Sequence, residues 1–396
     1  MKLKTHLGGL FFLIILFFNT SIQAATIPEI NYSKKSSRSL IFVNNPEQIT
    51  SSDLGDWDYN SAAILQTGRL KGKYRNFFEH VNKTGFTIGY AIQLYNPNPY
   101  PITVKVTGSG YTPTVYGGKP FSQMFGEDSE NTKNYQVDAQ NSIWLMKQDN
   151  TIKNNSFFSG VIDFEIIDGE AIINNIAYRK FDNLPDSYDY IGYVQRIEPD
   201  GTHEARMYKG ITSYSEVTAN NIDFVINNTD KPGVLKVKHP VYNLTTNNYS
   251  PPKLKENGWY SNIGPASNSE ATTKDMVPFY IPDWGGIYPK SSSDGEEKYP
   301  NLGNWGIIYR IKGTVTNYSN YSRRLSVNLK APNNSNVFLA YQGNDGVWRD
   351  LQVKPGQNIQ YYTFNVAVGQ TISYSAAYVL GGPSGGNILQ SISLNN

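Results

Sequence analysis

Ile102-Thr103-Val104-Lys105-Val106-Thr107 decides the fold class. Apolar and polar residues alternate, so Ile102, Val104 and Val106 share one face of an extended chain, and Thr103, Lys105 and Thr107 share the other. The same period of two recurs outward from this stretch. Ile162, Phe164 and Ile166 alternate with Asp163 and Glu165; Ile307, Tyr309 and Ile311 with Ile308, Arg310 and Lys312; Leu325, Val327 and Leu329 with Ser326, Asn328 and Lys330. Turn signals separate such runs: Asn96-Pro97-Asn98-Pro99, Asp168-Gly169, Asp200-Gly201, Asp345-Gly346 and Pro355-Gly356. Asp-Gly between alternating runs is a hairpin signal. A helical period of 3.6 is absent from every window of a dozen residues, and only Lys119 to Phe125 and Asn134 to Asn141 could form a helical turn or two. The pattern predicts an all-β protein built from β-sandwich-like domains.

Residues 247–300 read differently. Pro251-Pro252, Pro265, Pro278, Pro282, Pro289 and Pro300 suggest a linker, yet Trp259, Tyr260, Phe279, Tyr280, Trp284 and Tyr288 fall inside it. Burying that much aromatic area offsets the entropy of ordering, so an ordered, irregular segment is expected. The expected organisation is therefore a leader over 1–24, an amino-terminal β-sandwich-like domain over 25–246, the irregular aromatic- and Pro-rich segment over 247–300, and a carboxy-terminal β-sandwich over 301–396.

The leader follows from Lys2 and Lys4, the unbroken apolar run Leu10 to Phe18, and the polar exit Asn19-Thr20-Ser21-Ile22-Gln23-Ala24. This is the pattern of a secretory signal peptide cut after Ala24. It places the mature chain outside the cell or on its surface. No other window approaches the length of a membrane span, so no transmembrane segment is expected. The chain carries 35 Lys+Arg against 33 Asp+Glu, and the leader holds two of the bases and no acid. The remainder is formally neutral, which argues against any large electrostatic footprint for nucleic acid or anionic lipid. There is no cysteine. That removes disulfides, thiolate metal sites and cysteine nucleophiles, and with export it points to a bacterial secreted protein.

Arg75-Asn76-Phe77-Phe78-Glu79-His80-Val81-Asn82-Lys83-Thr84-Gly85, followed by Ala91-Ile92-Gln93-Leu94-Tyr95-Asn96-Pro97, resembles a block found in secreted bacterial proteins. Many of those carry a copper amine oxidase N-terminal-like, or stalk, domain in front. Asn304-Trp305-Gly306-Ile307-Ile308-Tyr309 is similar to a later strand of the same proteins. The resemblance covers about residues 50–120 and 300–345. It implies export and a β fold; the oxidase label belongs to the preceding domain and brings no chemistry here.

Chemistry-bearing residues are sparse. His80, His203 and His239 lie far apart and form no spaced metal-ligand pair. Asp56, Asp58 and Asn60 have the spacing of the first half of a calcium loop, but Ser61 replaces the turn glycine and Thr67 replaces the closing glutamate. They stand as candidate calcium ligands, against the alternative of a self-capping acidic turn; no other cofactor is implied. Asp163 and Glu165 share one strand face at about 7 Å, the spacing of some glycosidase carboxylate pairs, but also of any solvated strand. Asn-x-Ser/Thr triplets such as Asn82-Lys83-Thr84 and Asn243-Leu244-Thr245 follow from the high Asn content and are read as chance.

Aromatic residues in loops are the remaining signal. Trp259, Tyr260, Trp284 and Tyr288, then Trp57 and Trp348, are candidate ligand-binding residues, because sugars stack on such rings while Asn, Asp and Gln hold hydroxyls. The alternative for each Trp is core packing. The expected function is a secreted, non-catalytic β protein binding an extracellular polysaccharide or a cell-envelope or matrix protein. Two other readings stay open: a surface-assembly or toxin-like secreted protein, and a secreted glycan-active hydrolase.

Overall fold

The computed structural model describes residues 33–35, 37–44, 46–54, 62–126, 132–179, 195–196, 209–212, 214–228, 233–238, 279–281, 286–288, 305–384 and 388–395. The first strands are β1 (Ser33–Lys35), β2 (Ser39–Val43), β3 (Gln48–Thr50) and β4 (Ala62–Lys83). β5 (Ile88–Tyr95), β6 (Ile102–Thr112), helix α1 (Lys119–Phe125), β7 (Lys133–Val137), β8 (Ser142–Ile152) and β9 (Phe157–Tyr178) follow. Next come β10 (Gln195–Arg196), β11 (Lys209–Thr212), β12 (Glu216–Ala219), β13 (Phe224–Ile226) and β14 (Gly233–Lys238). β15 (Phe279–Ile281) and β16 (Gly286–Tyr288) form a separate hairpin. The last part supplies β17 (Ile308–Asn317), β18 (Arg323–Lys330), β19 (Val337–Gln342), β20 (Trp348–Val353), β21 (Asn358–Val366), β22 (Thr371–Gly381) and β23 (Leu389–Asn395). The protein is all-β, as its alternating runs predict.

β4 and β9, each 22 residues long, pair antiparallel along most of their length. Both bend at one level. The register slips between Leu70 and Gly72 of β4, opposite Ala171 and Ile166 of β9, and there Gly72 (φ 93°) and Gly169 (φ 80°) take left-handed backbone that a β-carbon disfavours. Asp168-Gly169, expected to close a hairpin, instead lets one strand turn a corner and keep pairing. On one side of the corner β5 and β8 extend the sheet; on the other β6 and β7 join β9, and β2 and β3 join β4. The two halves close on a core that includes Leu65, Ile92 and Ile173 from one and Phe78, Val104 and Phe164 from the other. The Phe78 and Tyr90 rings stack across it at 4.0 Å.

The outer face of the β2–β4–β9–β6 half is apolar too. Leu40, Phe42, Phe77 and Val161 share a second core with Trp305 and Ile307, just before β17, and with Val379 and Leu380 of the seven-stranded sheet β1-β12-β17-β22-β19-β20, to which β13 is added beside β17. This core continues to the four-stranded sheet β14-β23-β18-β21 through Leu325, Val327 and Ile392. The folded sheet and the carboxy-terminal sandwich therefore share a continuous apolar contact. α1 packs at this junction through Phe121 and Met124.

The sheets do not divide at residue 246. β12 and β13 pair parallel to β17, β14 pairs with β23, and β1 reaches β12, so residues well before 246 complete the carboxy-terminal sheets. Such pairings join segments roughly 90 or more residues apart and leave no local trace. Asn134 to Asn141, read as a helical turn, contributes β7, an edge strand held by β6 whose mixed polarity hides its period. Residues 1–24 and most of 247–300 lie outside the described residues.

Three strand ends are built alike. The buried Asn82 donates from Nδ2 to the carbonyls of Phe86 (2.8 Å) and Ile152 (3.0 Å), while its Oδ1 accepts from the backbone and hydroxyl of Thr84. Asn96 donates to Tyr100 and Val137 and accepts from the backbone and amide of Asn98. Asn317 donates to Tyr321 and Val366 and accepts from the backbone and hydroxyl of Ser319. In each, one amide satisfies the carbonyls that the chain reversal would leave without partners. The Asn-x-Thr triplet at 82–84 is thus a structural turn.

Candidate functional site

Between β12 and β13 the chain leaves the edge of β17 opposite β22, bows out, and pairs with the same edge again. Glu216 to Ala219 pair with Ile308 to Ile311, and Phe224 to Ile226 with Val315 to Asn317. The four residues between, Asn220-Asn221-Ile222-Asp223, arch over Lys312 to Thr314 with Asn221 in left-handed backbone (φ 60°). The arch is held at several points. Ile222 N–H donates to the Lys312 carbonyl at 3.0 Å, the Tyr374 hydroxyl donates to the Ile222 carbonyl at 2.7 Å, and Asp223 Oδ1 accepts from the backbone and hydroxyl of Thr314, both at 2.7 Å. Gly313 lies beneath it, where a β-carbon would collide with the Ile222 carbonyl.

This arch forms the rim of an open surface groove of about 630 Å³. Asn220, Asn221, Asp223, Lys312, Ser373 and Ser375 give it polar groups and Tyr362 gives it a ring, while Tyr374, 4% exposed, lies beneath as its floor. Phe364 stacks on the buried Tyr374 at 5.4 Å and meets Tyr362 edge-on at 5.8 Å. Chemically the groove offers amide, hydroxyl and carboxylate hydrogen bonding beside the Tyr362 ring, and among the described residues of its lining Lys312 is the one cation and Asp223 the one carboxylate.

The sequence candidates fall elsewhere. Trp348 is 8% exposed, with its ring 4.5 Å from Phe125 in the second core, so it packs the interior and faces no ligand. Its place in a short strand after an Asp-Gly turn resembled a loop aromatic; the burying partner comes from α1, more than 200 residues away. Tyr288 ends β16, with its side chain outside the description, and Trp57, Trp259, Tyr260 and Trp284 lie outside the described residues, as do Asp56, Asp58 and Asn60. Among the described residues no group of three His, Asp or Glu side chains is placed to hold a metal. His80 is buried between the Tyr90 and Phe158 rings with Nδ1 2.6 Å from the Pro46 carbonyl, a core position. His203 and His239 are outside the described residues.

Asp163 and Glu165 are held by cations. Arg75 grips Asp163 with two parallel bonds, Nε to Oδ1 at 2.8 Å and Nη2 to Oδ2 at 2.9 Å, and Arg38 Nε approaches the same carboxylate at 3.4 Å. Glu165 faces Lys73 at 3.6 Å. Arg75 also lies 5.0 Å from the centre of the Phe125 ring, so this cluster belongs to the junction with α1. Burial draws the Arg38 pKa down, partly countered by Asp163. One other carboxylate is buried there. Glu79, 4% exposed, accepts from Asn44 Nδ2 at 3.3 Å and from the Gly382 N–H, and burial together with nearby Glu47 raises its pKa to about 8. It lies in the packed interface between β4 and the turn after β22.

No protein-family model matches the chain, and no curated protein matches it. Among solved structures it is similar to the PBSX exported protein XepA at 8% identity, over 84% of this chain and 85% of that one, with a TM-score of 0.16. The CUB1-EGF-CUB2 domain of human MASP-1/3 matches at 12% identity over 83% and 100%, with a TM-score of 0.16. Lac15 from a marine microbial metagenome matches at 8% identity over 89% and 61%, with a TM-score of 0.13. Likenesses at these scores carry no argument about architecture or activity.

Proposed function

We propose that the protein is an exported, non-catalytic binding protein that holds an extracellular polysaccharide in the groove between the 220–223 arch and β22. The observation that carries this reading is the groove's lining: the half-buried ring of Tyr362 beside Asn220, Asn221, Asp223, Ser373 and Ser375. Sugar C–H faces pack on aromatic rings, and sugar hydroxyls pair with neutral amides and hydroxyls. The groove is shallow and open to solvent, which suits a chain lying across it better than a small molecule, whose sites enclose most of its surface. Glycoside hydrolysis by the usual route needs two carboxylates, and among the described residues the lining supplies Asp223 alone, with one oxygen already engaged by Thr314. The leader-like segment supports export.

The test is affinity electrophoresis through gels containing wall, matrix and plant-type polysaccharides. Wild-type protein is expected to be retarded by at least one of them, and Tyr362→Ala with Asn221→Ala to weaken retention about tenfold, the effect of about 1.4 kcal/mol. Free migration of the wild type in every gel sinks the proposal, as does turnover of a retarding polysaccharide.

A further inference from the structure

Next to the arch, one end of the carboxy-terminal sandwich exposes apolar side chains that its own fold leaves uncovered. Tyr318 and Tyr321 in the β17–β18 turn are 65% and 68% exposed, Val225 of β13 is 57% exposed, and Val368 in the β21–β22 turn is 56% exposed. These are half of the eight large apolar side chains that stand exposed among the described residues. They meet around Asn317. Val225 pairs in register with Thr316, Tyr318 N–H donates to the Ile226 carbonyl at 2.8 Å, and Gly369 N–H donates to the Asn317 carbonyl at 2.8 Å. The Asn317 side chain then ties down the turn that carries both tyrosines.

The rings are thus held out to solvent by a rigid turn. A turn serving only to reverse the chain gains nothing from aromatic residues at its exposed positions, and contiguous exposed apolar side chains mark contact surfaces. The charge of this end selects the partner. The segments 225–228, 316–324 and 365–371 contain no Asp or Glu, and they carry Arg323 and Arg324, with Arg324 exposed at the start of β18. Tyrosine places its ring in the headgroup region of a bilayer with the hydroxyl in water, and basic residues beside it are attracted to anionic headgroups.

We infer that this end, through Tyr318, Tyr321, Val225 and Val368 with Arg324 beside them, is a peripheral docking surface for membranes containing anionic phospholipid. Contact is interfacial: the apolar side chains enter the headgroup layer and the sandwich stays in water. A few side chains give shallow, reversible attachment that weakens as salt screens the arginine.

The experiment is co-sedimentation of the protein with vesicles of phosphatidylcholine alone and of phosphatidylcholine mixed with phosphatidylglycerol, at low and high salt. Wild-type protein is expected to pellet with the anionic vesicles, less so at high salt, and to stay in solution with the neutral ones. Tyr318→Ser with Tyr321→Ser should weaken binding about tenfold. Arg324→Gln should reduce the preference for phosphatidylglycerol, and Tyr100→Ser with Tyr116→Ser, two exposed tyrosines elsewhere, should leave binding unchanged. Melting curves establish that each variant is folded, and Arg324→Gln carries the test if the tyrosine pair fails to fold. Wild-type protein that ignores anionic vesicles overturns the inference, as do tyrosine or arginine variants that bind like wild type, or a control pair that loses binding equally. Polysaccharide retention is read in a separate gel, so either proposal can fail alone.

Discussion

The carboxylate of Glu79 lies against the backbone of Gly382, with no room between them for a β-carbon. Glu79 belongs to β4 and Gly382 to the turn after β22, so this contact pins the folded sheet to the carboxy-terminal sandwich. Across the strand stands the buried Ser159, and nearby Glu47 also disfavours charge on Glu79. Burial raises the Glu79 pKa from 4.5 to about 8. Below about pH 4.5 the group is protonated in the folded and unfolded chain alike; between there and about pH 8 only the unfolded chain ionises. Stability is therefore highest at low pH on this account, falls as pH rises through that window, and levels off above about 8. The full difference is on the order of 5 kcal/mol. Thermal melting against pH should show the slope, and Glu79→Gln, which keeps an acceptor for the Gly382 N–H, should remove it. An unchanged slope in Glu79→Gln would assign the effect to other groups. Gly382→Ala should cost about 1–3 kcal/mol by overpacking.

The ion cluster around Asp163 makes an asymmetric prediction. Asp163 faces two guanidinium groups, those of Arg75 and Arg38, and Arg75 faces one carboxylate. Asp163→Asn leaves two buried or half-buried cations uncompensated, whereas Arg75→Met leaves Asp163 with Arg38. Breaking a buried pair costs about 3–5 kcal/mol, and Asp163→Asn should sit at the upper end with Arg75→Met below it. The double variant Arg75→Met/Asp163→Leu should recover much of the loss. Urea titration of the three variants checks the order; equal single costs would show that Arg38 does not share the carboxylate.

The three asparagine turns predict a dependence on the amide itself. At Asn82, Asn96 and Asn317 the Nδ2 group donates to two strand-end carbonyls while Oδ1 accepts a backbone N–H. Alanine leaves these buried groups without partners, at about 1–3 kcal/mol for a group so exposed to desolvation. Aspartate keeps the acceptor but turns an oxygen towards two carbonyls, so Asn317→Asp should destabilise at least as much as Asn317→Ala at neutral pH and less at low pH, where its carboxyl regains a donor. Melting temperatures at two pH values decide; an aspartate variant as stable as wild type would rule the carbonyl contacts unimportant.

The alternation of Ile102, Val104 and Val106 was legible because it reports a single strand with one buried face, and the structure buries all three. The corner at Gly72 and Gly169 was not, because Asp-Gly marks a positive-φ position equally well in a hairpin and in a strand that bends and continues. At Asp345-Gly346 the same dipeptide does close the β19–β20 hairpin. The groove escaped the sequence for a different reason. Its parts come from 220–223, 312–314, 362 and 373–375, brought together by the parallel pairing of β12 and β13 with β17, the antiparallel pairing of β17 with β22, and the packing of β21 from the other sheet. Trp348 misled because tryptophan in a turn-rich stretch signals burial and binding alike, and only a distant partner such as Phe125 decides between them.

Gly313 offers the sharpest test of how the groove is made. The arch over β17 depends on backbone meeting backbone: Ile222 N–H reaches the Lys312 carbonyl, and the Ile222 carbonyl lies where a Gly313 β-carbon would be. Gly313→Ala must lift the arch, which withdraws the Ile222 carbonyl from Tyr374 and Asp223 from Thr314. The expected cost is about 1–3 kcal/mol in stability. Because Asn220, Asn221 and Asp223 move together, retention on polysaccharide should fall at least as far as in Tyr362→Ala, although Gly313 itself has no side chain to offer a ligand. Tyr362→Ala, by contrast, removes a half-buried ring and leaves the arch bonded, so it should lower retention with the smaller change in melting temperature. Measuring both properties for both variants separates a groove that binds through its shape from one that binds through a single ring. If Gly313→Ala melts earlier but is retained like wild type, the arch is a structural connection and the ligand lies elsewhere.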